Sequence, residues 1–241
     1  MTYCVGLLLN DGIVCLSDTR TNAGLDNIST YRKMFRFTVE GDRAIIIMTA
    51  GNLSVTQTAL ARLDEHATDI DATPQTSILL APTILQVAEI IGRTLAETSQ
   101  EVASRMGTNA SSASASMIVA GQRKDGDMRM FLIYPQGNFI EATPDTPYLQ
   151  IGEHKYGKPI LDRVVTMETS LSDAKKAVLL SMDSTLRSNL SVGMPLDLAV
   201  IEKDSLAITE ERRIEPQDAA FAKMSSQWSD ALRNAFSGIE L

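Results

Sequence analysis

Three side chains and one amine near the start of this chain could do chemistry together. Thr2 follows the initiator Met1, so removal of Met1 leaves one residue with both a hydroxyl nucleophile and a free α-amine. Such an amine can act as general base toward the hydroxyl of its own residue. Unperturbed, it has a pKa of about 8, and a neighbouring ammonium lowers that value by disfavouring its protonation. Lys33 is the candidate ammonium, and Asp18 is the candidate carboxylate that holds Lys33 in place and keeps it charged. The plainer reading is an ordinary amino terminus, a strand-end aspartate and a lysine in a solvated basic trio with Arg32 and Arg36. Position argues against it, because Asp18 closes an apolar stretch and Lys33 opens one.

The elements that must position these groups follow from the apolar pattern. Residues 3–9 and 13–16 are almost continuously apolar on either side of Asn10-Asp11-Gly12. A strand with one wet face would alternate, so both strands are expected to be buried on both faces inside a layered sandwich. Asn-Asp-Gly suits a three-residue hairpin loop with Gly12 in the left-handed conformation. That register pairs Leu9 with Ile13, Cys4 with Asp18 and Thr2 with Arg20. Alternation then puts Thr2, Cys4 and Asp18 on one face. A two-residue turn would move Asp18 to the other face, since a slip of one residue flips every side chain, so the active-site reading depends on a three-residue loop. In the same register Cys4 and Cys15 face opposite ways, which predicts buried reduced thiols and no disulfide.

Thr2, Asp18 and Lys33, followed by Thr49-Ala50-Gly51 at the end of an apolar strand, resemble the proteasome β-subunit family of N-terminal nucleophile hydrolases. The opening Met1-Thr2-Tyr3-Cys4-Val5-Gly6-Leu7, the run Ser17-Asp18-Thr19-Arg20-Thr21-Asn22-Ala23-Gly24 and the stretch Tyr31-Arg32-Lys33-Met34-Phe35 are most similar to its bacterial Anbu (ancestral β subunit) branch. The resemblance is dense over residues 2–60 and looser to about residue 210. It implies an α+β fold, a four-layer α-β-β-α sandwich of two antiparallel sheets between helical layers. It also implies that Thr2 is the nucleophile, Asp18 and Lys33 set its charge environment, and the Gly51 backbone N–H is an oxyanion donor. Glycine permits the close approach that this needs. Thr21 and Thr49 would line a cleft that pairs with an extended peptide.

Two stretches depart from the family pattern. Where the family has a Gly-Ser pair whose serine supports the nucleophile, this chain has Ile151-Gly152-Glu153. Where it has Arg-Asp-Ser-x-Ser-Gly, this chain has Arg187-Ser188-Asn189-Leu190-Ser191-Val192-Gly193. Ser191 matches a supporting serine, and Ser188 stands where the aspartate would be. Glu153 could compensate by hydrogen bonding to the α-amine. Three functions stay open: a threonine peptidase, a self-assembling structural subunit with vestigial activity, and an amidase on a small non-peptide substrate.

Family members form rings, and Anbu proteins resemble open or helical arrangements of many copies, so the resemblance implies self-assembly. A heterologous interface gives a ring or a helix depending on its rotation. A peptide is the implied substrate, an unfoldase partner stays open, and no metal or organic cofactor is required. Because the chain starts at Met1-Thr2, only methionine removal would be needed to free the threonine.

Composition agrees with this frame. The chain has 241 residues, 44% of them apolar, which suits one large domain over residues 1–241 with a sizeable core. No run approaches the ~20 apolar residues of a membrane span. The amino terminus lacks a basic leader, so a secretory signal is not expected. A formal charge of −8 with no basic block makes nucleic acid and anionic membranes poor partners. A bacterial cytoplasm is the expected location.

Along the chain, further strands are expected at 33–40, 43–50, 115–122, 128–134, 138–141, 148–151, 196–203 and 206–212. Helices are expected from Asn52 or Ser54 to about 67, from Pro82 to 106, after Gly157, from Ser172 or Asp173 to 187, and over 216–236. The last helix carries Trp228, Leu232 and Phe236 and could cap the core or form an interface. Strands and helices come in groups rather than in βαβ alternation, which points to antiparallel sheets with segregated helices.

Two other motifs carry little. Gly152 to Lys158 fits most of a phosphate-binding loop, but Pro159 follows and offers no hydroxyl for a magnesium ion. Asp64, Glu65, His66, Asp69 and Asp71 form an acidic cluster without metal-ligand spacing, and a solvated loop is the better reading.

Overall fold

The computed structural model describes residues 2–22 and 28–240. Met1, Ala23 and Gly24 of the resemblance motifs lie outside the described residues. The chain opens with the hairpin β1 (Tyr3–Leu9) and β2 (Gly12–Asp18), then a short pair, β3 (Arg20–Asn22) and β4 (Ile28–Thr30). Next come β5 (Met34–Val39), β6 (Arg43–Gly51), α1 (Leu53–Thr68) and α2 (Ile84–Met106). A 3-10 turn leads into β7 (Ala115–Arg123), β8 (Arg129–Ile133), β9 (Phe139–Glu141) and β10 (Tyr148–Gly152). Then follow α3 (Lys158–Val164), α4 (Leu171–Ser188), β11 (Leu196–Glu202), β12 (Glu210–Ile214) and α5 (Ala219–Ser237).

Two five-stranded antiparallel sheets result, in the orders β10-β1-β2-β11-β12 and β5-β6-β7-β8-β9. Three apolar cores separate four layers. Tyr3, Val5, Leu7, Val14 and Leu16 pack outward on Leu161 of α3 and Ala174, Val178 and Met182 of α4. Ile45, Ile47, Val119 and Phe131 pack outward on Val55 and Leu63 of α1 and Val87, Ile91 and Leu95 of α2. Cys4, Ile13, Cys15, Ile46, Met48 and Ile118 fill the space between the sheets. This is the expected α-β-β-α sandwich, and it explains why β1 and β2 are buried at every position.

The first hairpin corrects the sequence reading. Its turn has two residues, Asn10 and Asp11, and Leu9 pairs with Gly12. Cys4 therefore faces Ser17, and both Cys4 and Cys15 lie in the core between the sheets, not on opposite faces. Both are free thiols. Gly12 is not the turn glycine: a Cβ there would lie 2.5 Å from the Ile201 carbonyl oxygen, so β11 is what requires it. Other boundaries also move. Thr83, not Pro82, opens α2, because its side chain accepts from the Gln86 N–H. Ser170, not Ser172 or Asp173, caps α4 in the same way through Asp173. β12 begins at Glu210, after a loop longer than the expected hairpin turn.

Candidate active site

The end of β2 gathers four donors on one carboxylate. Asp18 Oδ1 accepts from the Lys33 ammonium at 2.8 Å and from the Tyr3 backbone N–H at 3.1 Å. Its Oδ2 accepts from the backbone N–H groups of Arg20 and Gly193, each at 3.2 Å. Asp18 is fully buried and Lys33 is 5% exposed, so neither is the solvated surface charge of the plainer reading. Burial pushes the Asp18 carboxyl above its ordinary pKa, and the ammonium and the backbone donors only partly offset this. Lys33 also donates to the Arg20 carbonyl at 2.6 Å, which fixes the ammonium at the strand end.

The two-residue turn does move Asp18 to the helix-facing side, one step beyond the Cys4–Ser17 pair and level with Tyr3. The Asp18–Lys33 pair nevertheless forms, contrary to the expectation that it needs a three-residue loop. Asp18 is the last residue of its strand, so its carboxylate meets backbone N–H groups at the sheet's end. Lys33 arrives from the second sheet, just before β5.

Thr2 precedes the Tyr3 N–H that binds Asp18, and it is 7% exposed. Its carbonyl accepts from the Glu153 N–H at 2.7 Å. That contact depends on Gly152, which has φ +82° and faces Tyr3 across the sheet. A Cβ at Gly152 would lie 1.9 Å from the Thr2 carbonyl oxygen. Glu153 thus meets Thr2 through its backbone.

Gly51 ends β6 with φ +109°, and a Cβ there would lie 2.4 Å from the Ser114 carbonyl oxygen. Both facts require glycine, because the chain entering β7 passes too close for a side chain. Thr49 is buried and its N–H donates to the Lys33 carbonyl at 2.9 Å. It borders a cavity of about 270 Å³ with Tyr31, Phe35, Leu53 and Leu60. Thr21 lies half-buried in β3. Ser188 is exposed at the end of α4, and the half-buried Ser191 donates its N–H to Asn189 Oδ1 at 2.9 Å. The loop they belong to meets Asp18 through Gly193.

Sequence reasoning missed Tyr3, Arg20, Gly152 and Gly193 as parts of this arrangement. The Arg20 guanidinium lies over Gly193, where a Cβ would come within 2.1 Å of its Nε, and donates to the Leu190 carbonyl at 2.9 Å. Thr19 Oγ1 donates to the Pro195 carbonyl at 2.6 Å, so residues 19 and 20 grip the loop at both ends. The only available signals were the two glycines.

The phosphate-loop pattern sits between strand β10 and helix α3. Its lysine is nonetheless committed elsewhere: Lys158 Nζ donates to Asp162 at 2.6 Å and to the Tyr148 hydroxyl at 2.7 Å. Asp64, Glu65 and His66 lie on the last turns of α1 rather than in a loop. Among the described residues no group of three or more histidine, cysteine, aspartate or glutamate side chains could hold a metal ion. None of the described helices is long and apolar enough to cross a membrane.

The family model described as proteasome subunit matches residues 2–201. The chain belongs to the proteasome subunit family. Its solved relatives place it beside the Anbu branch. An Anbu (Gly-1) mutant from Hyphomicrobium sp. strain MC1 superposes with a TM-score of 0.92 at 46% identity, over 100% of this chain and 99% of that one. Anbu from Yersinia bercovieri gives 0.91 at 40% identity, over 99% and 98%. A structure described as the helical assembly of the Anbu complex from Pseudomonas aeruginosa gives 0.89 at 44% identity, over 99% and 97%. No curated protein matches the chain.

Proposed function

We propose that this proteasome-family chain is a threonine-type N-terminal nucleophile hydrolase acting on peptides, with Thr2 as nucleophile once Met1 is removed. The observation that carries the reading is the buried Asp18 carboxylate, which holds the Lys33 ammonium at 2.8 Å and the N–H of the residue after Thr2 at 3.1 Å. A fixed ammonium there keeps the threonine amine unprotonated and able to accept a proton.

In this reading the Thr2 amine takes the hydroxyl proton, directly or through a water. The hydroxyl oxygen attacks the substrate carbonyl, and the Gly51 N–H donates to the oxyanion. The tetrahedral intermediate expels the amine product, which takes up the proton, and leaves an ester on Thr2. Water then attacks the ester, with the Thr2 amine again as base, and restores the hydroxyl. The chain supplies each of these groups. Thr49 and the cavity beside it receive a substrate side chain, and Thr21 pairs with the peptide backbone. The protein works as a homo-oligomer, which the helical assembly of the Pseudomonas relative supports, and it does so in the bacterial cytoplasm.

A self-assembling subunit with vestigial chemistry is the second reading. It is favoured by Ser188, which is exposed at the end of α4, and by the glutamate that replaces the family serine after Gly152. Thr2→Ala separates the two. A peptidase loses all turnover of peptide substrates, whereas an assembly protein keeps both its particles and its biological effect.

A further inference from the structure

Among the described residues Tyr3 is the largest fully buried side chain, although it lies next to Thr2. First residues of a domain are ordinarily poorly ordered unless tied down. Here the Tyr3 ring enters the core between its sheet and α4, where a phenylalanine or leucine would satisfy packing alone. Its hydroxyl instead meets Ser181 Oγ of α4 at 2.6 Å and accepts from Gln150 Nε2 of β10 at 2.5 Å. Gly157 leaves the room for this: a Cβ there would lie 2.1 Å from Ser181 Oγ and 2.7 Å from the Tyr3 hydroxyl oxygen. Burial pushes the phenol up to about 12, so it stays a neutral donor and acceptor at any physiological pH. A buried hydroxyl costs stability unless it is bonded, and the two polar groups that converge on this one fix its place in the core.

The same short segment is held at its backbone. The Tyr3 N–H donates to Asp18, and the Thr2 carbonyl accepts from Glu153, on the turn that follows the strand carrying Gln150. We infer that the Tyr3 hydroxyl, with Ser181 and Gln150, is a positioning device that fixes the Thr2 nucleophile against Asp18 and Lys33. The inference rests on the threonine-hydrolase reading for its catalytic consequence. The tether's effect on the threonine itself can be read without catalysis.

The experiment compares the Met1-free chain with Tyr3→Phe, which keeps the ring and deletes the tether, and with Ser181→Ala, which cuts it from the helix. Val178→Ala, in the same core but with no polar atom to bond the hydroxyl, reports the effect of lost packing. Peptide hydrolysis gives kcat and KM. Equimolar periodate gives a second readout by intact mass, because it cleaves the Cα–Cβ bond of an N-terminal threonine only where amine and hydroxyl can both reach the iodine.

Tyr3→Phe is expected to lower kcat about tenfold to a hundredfold with KM little changed, as a displaced nucleophile does. It is also expected to speed periodate cleavage of the otherwise buried Thr2. Val178→Ala should change neither once assayed below its melting temperature. Should Tyr3→Phe not fold, Ser181→Ala is expected to show the same split. Unchanged kcat and unchanged periodate rate in the folded variants would overturn the positioning role and leave the hydrolase reading standing. A wild-type chain without turnover whose periodate rate still rises in Tyr3→Phe would overturn the hydrolase reading and leave the tether standing.

Discussion

Gly152→Ala is the substitution whose effect can be worked most fully from the geometry. A Cβ at this position would lie 1.9 Å from the Thr2 carbonyl oxygen, and the backbone there has φ +82°. A carbon and a carbonyl oxygen approach to about 3.3 Å at closest, so the two residues must part by roughly 1.4 Å. The left-handed backbone adds about 1–2 kcal/mol of strain for a residue with a side chain. In a chain of this size that strain alone lowers the melting temperature by roughly 2–8 °C, and parting the two backbones lowers it further. The activity loss should be much larger, because a nucleophile displaced by about 1 Å loses on the order of a hundredfold in rate. That factor corresponds to about 2.7 kcal/mol of transition-state stabilisation. The assay is steady-state hydrolysis of a fluorogenic peptide by the Met1-free chain, with a thermal melt of the same sample. A Gly152→Ala chain that melts a few degrees lower yet keeps the wild-type kcat would show that Thr2 is not held by this turn.

Four further outcomes follow from the same geometry. Lys33→Met should abolish hydrolysis and cost about 3 kcal/mol of stability, the low end for a broken buried pair, because Asp18 keeps its Tyr3, Arg20 and Gly193 N–H donors; chemical denaturation measures it. Burial holds the Asp18 carboxyl above its ordinary value, so falling pH protonates it earlier than an exposed aspartate and removes the charge facing Lys33. The acid limb of kcat/KM should therefore lie at higher pH than an ordinary aspartate would give and be missing from the residual activity of Asp18→Asn. Glu153→Ala keeps the backbone N–H that binds Thr2, so it should change rates only if the side chain also reaches the amine; identical rates would remove that side-chain role. Sedimentation should show multimers at micromolar concentration, weakened by Phe236→Glu on the exposed end of α5, and monomers alone would count against assembly.

The layers were legible in the sequence because burial writes itself into composition. Strands β1 and β2 are apolar at nearly every position because they are covered on both faces, and that pattern survives any uncertainty about register. Register was not legible. Asn10-Asp11-Gly12 admits turns of two or three residues, and the glycine that suggested the longer loop is there because β11, almost two hundred residues later, passes too close for a side chain. Asp18 and Lys33 could be picked out because they sit at the ends of apolar runs, Thr2 because it follows Met1, and the family resemblance joined the three. Their supports could not: Tyr3 is bonded to residues 147 and 178 positions away, and Gly193 acts through an N–H that every residue but proline has. The same limit explains Glu153, read for its carboxylate, whereas the structure uses its backbone. Only half of α5 was legible as core. Trp228 is half-buried, while Leu232 and Phe236 are 50% and 80% exposed.

The central claim is that Thr2 is a competent N-terminal nucleophile. It is tested most directly by the intact mass of the chain after incubation with a peptide epoxyketone, which needs both the threonine hydroxyl and its free amine. The account predicts a single adduct on a chain that has lost Met1, and none on Thr2→Ala. A chain that has lost Met1 and takes up no adduct, at concentrations that saturate a proteasome-type site, would contradict it.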